Sequence, residues 1–160
     1  MALIKLNNQS LSAVSALPAG VGGKVLQVQS THKTNSFTNN SGSFVDVTDL
    51  SVNITPTATS SKIYLFSTVD YSADVANYNN ELRIMENSTE IMRTMIRHNT
   101  GGNMIRQSNE QILRSPSTTS QLTYKVQVKS ESSSVYVYIN LRGAGTFTGT
   151  STITAMEIAG

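Results

Sequence analysis

The chain has 160 residues, of which 38% are hydrophobic and only 14% are charged, so one domain with a substantial core is expected. The formal net charge of +2 argues against nucleic-acid binding, because a nucleic-acid binder concentrates Lys and Arg in a stripe with few acids. The absence of cysteine excludes disulfides, thiolate metal sites and cysteine nucleophiles.

Residues 1–23 differ from the rest of the chain. Their larger apolar residues recur at spacings of three to five among Asn, Gln, Ser and Ala; these are Leu3, Leu6, Leu11, Val14 and Leu17. Ser10 could cap a short helix over residues 11–17, and the Gly-rich residues 18–23 would end it. Two interpretations stay open: a short helix that lies on the sheet, and a docking arm on a Gly-rich hinge.

Export and membrane signals are not visible in the sequence. Met1 is not followed by a basic region and a long apolar run, so no signal peptide is predicted. No segment approaches the roughly 20 apolar residues that cross a bilayer. We therefore expect synthesis in a cytoplasm and no membrane insertion.

The first predicted strand covers residues 25–30, where apolar and polar residues alternate. Residues 31–42 are predicted to form a polar loop, in which Phe37 is the one large apolar residue. In residues 43–55, Val45 and Val47 are odd-numbered whereas the next apolar residues, from Leu50 to Ile54, are even-numbered. A continuous strand would put these two sets on opposite faces, so we predict a bulge near Thr48 and Asp49.

The next strand, over residues 62–71, is apolar on both faces, which predicts a central position in a sheet. Residues 81–85 and 91–96 are predicted to form a hairpin, followed by a weaker strand over residues 104–113.

The last part of the chain adds three strands. Residues 122–129 show the clearest alternation, and residues 135–141 have high β propensity. In residues 151–158 both faces are apolar, which predicts burial on both sides. About nine short strands predict an all-β antiparallel sandwich, a jelly roll, over residues 24–160.

The charged residues of the middle of the chain mix both signs. The arginines are Arg83, Arg93, Arg97, Arg106 and Arg114, and they lie among Glu81, Glu86, Glu90 and Glu110. This mixture predicts cross-strand ion pairs on a solvated face.

Catalytic and metal-binding patterns are not found. His32 and His98 lack metal-ligand spacing. Asp46, Asp49, Asp70 and Asp74 do not form a calcium-loop motif and are interpreted as strand-end and turn residues. No pair of carboxylates is placed for glycoside hydrolysis. We expect neither an enzyme nor a cofactor.

Tyrosines are the remaining candidate feature. Tyr136 and Tyr138 share one face of their strand, and Tyr124 is a candidate to join them. In a monomer they would cover the sheet as amphipathic filler. In an oligomer they would form a subunit interface, predicted here as a trimer interface, and a sugar-stacking surface is the third interpretation.

Three segments resemble small virion proteins of tailed phages, especially marine and cyanobacterial ones. They are the opening MALIKLNNQSL with GKVLQVQS after the hinge, then SFVDVTDLSVNITP, and the closing STITAMEI. Together they reach from one end of the chain to the other, although residues 70–122 carry little of the likeness. The resemblance implies a jelly roll similar to tumour-necrosis-factor-like trimers, with N-terminal arms that attach each trimer to the particle.

The first hypothesis is therefore a homotrimeric structural protein at the virion surface, on the tail or as a head decoration, which binds other virion proteins through its arm. Exposed loops, expected over residues 31–42, 72–80 and 143–149, could contact host-surface glycans. The alternative is a free carbohydrate-binding module, which would need no arm.

Overall fold

A computed structural model describes residues 24–97, 104–143, 146 and 148–160, and this part of the chain contains ten strands and no helix. The strands are β1 (Val25–Lys33), β2 (Phe37–Asn39), β3 (Val45–Ile54), β4 (Lys62–Ala73), β5 (Asn79–Glu86), β6 (Thr89–Arg97), β7 (Arg106–Arg114), β8 (Leu122–Lys129), β9 (Val137–Ile139) and β10 (Ser151–Ile158). Accordingly, no helix suited to crossing a membrane occurs among these residues.

The strands pair as one long hairpin that has been rolled up. β1 pairs with β10, β3 with β8, β4 with β7 and β5 with β6, all antiparallel. Two sheets result: sheet A contains β1, β10, β4 and β7 with the short β9 and β2, and sheet B contains β3, β8, β5 and β6. Nested pairs of this kind, packed as two sheets, form a jelly roll, and the predicted fold class is confirmed.

β4 is the central strand of sheet A, as its sequence predicted. Its first seven residues pair with β10 on one edge, while residues 63–71 pair with β7 on the other. Tyr71 pairs with Arg106 of β7 and with Ile139 of β9 at once, so β9 continues the β10 side. β4 therefore connects the strands on its two sides into one sheet.

The predicted bulge in β3 is confirmed. Pairing with β8 shifts register between Asp46 and Ser51, and Asp49 has a φ of 62°. A non-glycine residue in this left-handed region is uncommon, and Asp is among the residues that tolerate it best. Because of the bulge, Val47 and Leu50 are both buried in spite of their different parity.

Three strand predictions needed correction. The predicted loop over residues 31–42 contains the end of β1 and the short β2, where Phe37 packs against the core. The predicted strand over residues 135–141 narrows to the three residues of β9. In β10, Met156 and Ile158 are only half-buried, so this strand is fully buried on one face rather than on two.

The core lies between the two sheets. Its sheet A side includes Ile63, Leu65 and Val69 from β4, and its sheet B side includes Leu82 and Val126, all 0% exposed. Full burial of an aliphatic side chain contributes about 1.5–3 kcal/mol, so this layer is the main favourable term in folding.

A buried carboxylate closes one end of the sandwich. Glu157 on β10 is 0% exposed, and it accepts hydrogen bonds from Thr57 N (2.7 Å), Thr57 Oγ1 (2.7 Å) and Gln27 Nε2 (2.6 Å). Burial alone would raise the pKa of Glu157, but hydrogen bonds, including those from Gln27 and Thr57, outweigh it and lower the pKa from 4.5 to about 2. Glu157 therefore fastens the loop between β3 and β4 to both β1 and β10.

We expect Glu157→Gln to lower the free energy of unfolding by about 1–3 kcal/mol at pH 7, because the amide cannot accept from all three donors as a carboxylate does. Since the pKa of Glu157 is lowered on folding, its contribution exists above pH 4.5 and is lost as the pH falls toward about 2. Urea unfolding of both proteins between pH 7 and pH 2 measures the difference.

The matched control is Glu110→Gln, because Glu110 on β7 accepts a hydrogen bond from Ser108, two residues away on the same strand. An equal loss of stability in the two variants, or a Glu157→Gln effect that does not change with pH, would contradict this role.

Candidate functional site

The outer face of sheet B is a network of opposite charges around one aromatic ring. The guanidinium carbons of Arg83 and Arg93 lie 3.9 Å and 5.0 Å from the centroid of the Phe44 ring. Glu90 binds both arginines, at 2.9 Å and 2.7 Å, and Glu81 binds Arg93 at 3.1 Å. Hydrogen bonds from Arg93 and then Arg83 lower the pKa of Glu90 to about 2.

The network continues across sheet B toward β3. Arg83 Nε donates to Gln127 Oε1 at 2.7 Å, and Gln127 donates in turn to Asp46, which also pairs with Lys125 at 2.8 Å. A shallow, open cavity of about 540 Å³ lies at the β5–β6 end of this face, lined by Asn79, Glu81, Arg93, Thr94 and Met95. The charges here are paired with one another, as a solvated face requires.

The predicted ion pairs are therefore confirmed for three of the five arginines. Arg83 and Arg93 pair on sheet B, and Arg114 binds Glu86 at 3.1 Å at the end of the sandwich. Glu110, in contrast, accepts a hydrogen bond from Ser108 Oγ at 2.7 Å.

The outer face of sheet A has a different character. One apolar row crosses all four long strands: Val28 lies opposite Met156, Met156 opposite Tyr64, and Tyr64 opposite Leu113. Val28 and Leu113, at the two ends of the row, are 51% and 54% exposed. Residues that pair directly in an antiparallel sheet point to the same side, so these four side chains form a continuous stripe.

We call these four residues the apolar row; toward the loop end of β4 it is flanked by uncharged residues, and on its other side the next outward residue of β4 is Lys62. One neighbouring set is Ser30, Thr154, Phe66 and Gln111, and the next is His32, Thr152, Thr68 and Asn109. Hydrogen bonds of 2.8 Å between Ser30 and Thr154 and of 2.9 Å between Thr68 and Asn109 show that the partners share this side. Charged residues of β4 stand only at the ends of the face, Lys62 at one and Asp70 at the other.

Three loops come together at the end of the sandwich where β4 finishes. Ser130 N donates to Ser41 O at 2.9 Å, and Asn79 Nδ2 donates to Glu131 Oε1 at 3.2 Å. The β2–β3 and β4–β5 connections therefore meet through the turn over residues 130–136. The predicted loop over residues 72–80 is shorter than expected, because its two ends belong to β4 and β5. In the third predicted loop, over residues 143–149, residues 144, 145 and 147 lie outside the described residues.

The tyrosine pair lies in this loop cluster. Tyr136 and Tyr138 share a face, as predicted, and their rings stack with centroids 6.1 Å apart. Asp74 Oδ1 accepts from Tyr136 N at 2.8 Å and so fixes the start of β9 against the β4–β5 loop. Tyr136 is 40% exposed, which leaves ring surface available to a partner.

Tyr124 does not belong to this surface, and its prediction as an interface residue is wrong. It lies on β8 in sheet B, on the same face as Leu122, Val126 and Val128, and is 0% exposed. Its hydroxyl donates to Glu86 Oε2 at 2.8 Å, and its pKa is raised first by burial and then by that carboxylate. The clean alternation of β8 marked Tyr124 as a core residue.

The first described residue, Lys24, lies at the opposite end of the sandwich from the loop cluster. Ala159 N donates to Lys24 O at 2.9 Å, so residue 24 lies beside the end of β10. The predicted arm residues, from Leu3 to Leu17, lie outside the described residues. β4 runs from one end to the other, and its twelve residues span about 36 Å at roughly 3.3 Å per residue.

The four aspartates occupy different places in the fold. Asp46 pairs with Lys125, Asp49 occupies the bulge, Asp70 Oδ2 accepts from Thr150 N, and Asp74 binds the start of β9. Among the residues that the structure describes, no group of three or more His, Asp or Glu is arranged to hold a metal ion.

Sequence reasoning missed two features. The apolar row was visible as the apolar even-numbered residues of β4 and β10, but they were interpreted as buried. Lys33, only 1% exposed, was also missed; its Nζ donates to Asn35 Oδ1 at 2.6 Å, and burial lowers its pKa.

No protein-family model matches the chain, and no curated protein matches it either. Among solved structures, the chain is similar to a chain in the structure of infectious bursal disease virus, Gx strain, with a TM-score of 0.46 and 11% sequence identity. The match covers 84% of this chain and 37% of that chain. It is also similar to the VP2 subviral particle of that virus (TM-score 0.44, 10% identity, 85% and 38%). Latent PorU of Porphyromonas gingivalis is a further match (TM-score 0.39, 9% identity, 88% and 14%). The chain thus spans well under half of each of these proteins.

We expect Tyr124→Phe to lower the free energy of unfolding by about 1–2 kcal/mol, because Glu86 loses a buried hydrogen-bond donor. The solution mass of the protein should not change, because the side chain has no exposed surface. Urea unfolding and light scattering measure the two quantities. Tyr136→Phe is the control, and its stability should stay within about 0.5 kcal/mol of the parent. A change of solution mass in Tyr124→Phe alone would contradict the core assignment.

Proposed function

We propose that the chain is a non-enzymatic structural protein of a virion, a homotrimeric jelly-roll knob that residues 1–23 attach to other virion proteins. Its place would be the surface of a tailed phage, on the tail or as a decoration of the head. The observation that carries this proposal is that Lys24 and the loop cluster lie at opposite ends of the sandwich. Lys24 lies beside the end of β10, and the loop cluster lies where β4 finishes.

This separation of the two ends suits attachment to the particle at one end and exposure to the surroundings at the other. An arm that precedes Lys24 would grip the particle at the base of the sandwich, while Tyr136 and the loops around it would face outward. A tumour-necrosis-factor-like trimer would have the same arrangement, with three arms at one end and three loop clusters at the other. The sequence resemblance of the first, third and last strands to phage virion proteins supports the same proposal.

The fold alone allows more than one role, because jelly rolls occur in viral capsids and in lectins. Function therefore has to be argued from surfaces. A surface for subunit contact should be poor in charge, whereas a solvated face should have paired charges. The two sheets of this protein differ in this way, since the ion pairs of sheet B have no counterpart along the apolar row of sheet A.

The second candidate is a free carbohydrate-binding module, and the stacked pair of Tyr136 and Tyr138 favours it. Exposed tyrosine rings offer a large amphipathic surface, with an apolar ring and a polar hydroxyl. In the first proposal the same pair would lie at a subunit boundary or contact a host-surface glycan.

Light scattering of the full chain tests the first proposal. We expect a mass of three chains of 17.3 kDa each, and the same stoichiometry for residues 24–160 alone, because the body would hold the trimer and the arm would remain free for docking. A trimer that forms in the full chain but not in residues 24–160 would mean that the arm, and not the body, holds the copies together. A monomer in both forms would contradict the knob and leave the carbohydrate module as the better proposal.

Glycan binding separates the two candidates further. If the module proposal holds, the full chain should bind members of a polysaccharide panel as a monomer, and deletion of residues 1–23 should leave binding unchanged. Tyr136→Ala with Tyr138→Ala should then weaken binding at least tenfold, because stacking surface is lost. Unchanged binding in this double variant would show that the tyrosine pair is not part of the glycan-binding site.

A further inference from the structure

We infer that the outer face of sheet A, which contains the apolar row, is the surface through which copies of this chain contact one another. The inference rests on the proposed homotrimer and adds to it the surface that is buried. It moves the centre of the interface from the tyrosine pair to Val28, Met156, Tyr64 and Leu113.

The row is unusual because it leaves apolar side chains exposed across the full width of a sheet. Leu113 on β7 is 54% exposed and Val28 on β1 is 51% exposed, with the half-buried Met156 and Tyr64 between them. Single exposed apolar residues are ordinary, but a contiguous stripe marks an interaction surface.

The distribution of charge indicates a partner rather than water. Across the twelve paired positions of the three rows described above, no side chain is formally charged at pH 7 with His32 neutral. Sheet B meets solvent with the Arg83, Arg93, Glu81 and Glu90 network instead. Subunit interfaces are depleted of charge at their centre and polar at their rim, and Lys62 and Asp70 occupy such rim positions here.

The occupant that fits is a second copy. A charged surface placed on this face would lose its hydration without gaining an ionic partner, so the partner should be uncharged as well. Of the two sheets in the described residues, only sheet A presents such a surface, so in a closed trimer the sheet A faces of the three copies would meet around the threefold axis.

The size of the face agrees with a subunit contact. Four strands about 4.8 Å apart and the seven pairs between β10 and β4 give a face of roughly 19 by 23 Å, or about 440 Å² in projection. Protruding side chains make the accessible area larger than the projection. The projected face is thus a little more than half of the roughly 800 Å² per partner that a standard interface buries, and the protruding side chains reduce this difference.

The test compares Leu113→Lys with Met95→Lys in the full-length chain, by light scattering across a concentration series. Both parent side chains are exposed, Leu113 at 54% on sheet A and Met95 at 60% on sheet B, so neither change should unfold the body. We expect Leu113→Lys to weaken association at least tenfold and to shift the mass toward one chain. Met95→Lys should keep the parent mass, and far-UV circular dichroism should show that both variants keep the β fold.

Methionine oxidation by hydrogen peroxide, read by mass spectrometry, gives a second measurement. In the parent oligomer Met156 should oxidise at least several-fold more slowly than in the Leu113→Lys variant, because the neighbouring copy covers it. Met95 should react at the same rate in both proteins and serves as the internal reference.

The outcomes separate the inference from the proposal on which it rests. A parent chain that is monomeric at every concentration overturns both. A parent trimer whose mass and Met156 protection survive Leu113→Lys overturns the inference alone and leaves the homotrimer standing. Protection of Met156 in a monomeric full-length chain would mean that another part of the same chain covers the row, which also overturns it.

Discussion

The structure depends on one strand that is paired along both edges. β4 pairs with β10 and β9 on one side and with β7 on the other, so the outer strands of sheet A are placed by reference to it. Its inner residues Ile63, Leu65 and Val69 fill the core, and its outer residues Tyr64 and Phe66 form the middle of the exposed face. The same twelve residues thus determine both the packing of the sandwich and the surface that it presents.

The two ends of the sandwich are held by polar contacts instead. At the base, Glu157 accepts hydrogen bonds from the β3–β4 loop and from β1. At the far end of β1, buried Asn140 donates to Lys33 O at 2.8 Å and accepts from Ser151 Oγ at 2.6 Å, which joins β1, β9 and β10. Buried polar groups of this kind are costly unless they are satisfied, so they specify one arrangement of loops around a core that apolar contacts alone would fix less uniquely.

Much of the fold could be predicted from alternation. The change of parity between Val47 and Leu50 predicted the bulge, and the two-sided apolar sequence of residues 62–71 predicted the central strand. The partners of each strand could not be predicted, because alternation reports which face is buried and not which neighbour buries it. Tyr124 shows the same limit, since its residue type suggested an interface while its place in the alternation of β8 indicated the core.

β4 and β10 also explain why the candidate surface was overlooked. An apolar residue on both faces of a strand was interpreted as burial within one chain, yet the described residues cover only the inner face. An apolar position in a sequence indicates that the side chain is buried in the assembled protein. It does not indicate whether the burial is in the core of one chain or in the contact between two chains. The apolar even-numbered residues of these strands are therefore accounted for if the second cover comes from another copy. On this argument, a strand that is apolar on both sides but half-buried on one carries information about assembly as well as about fold.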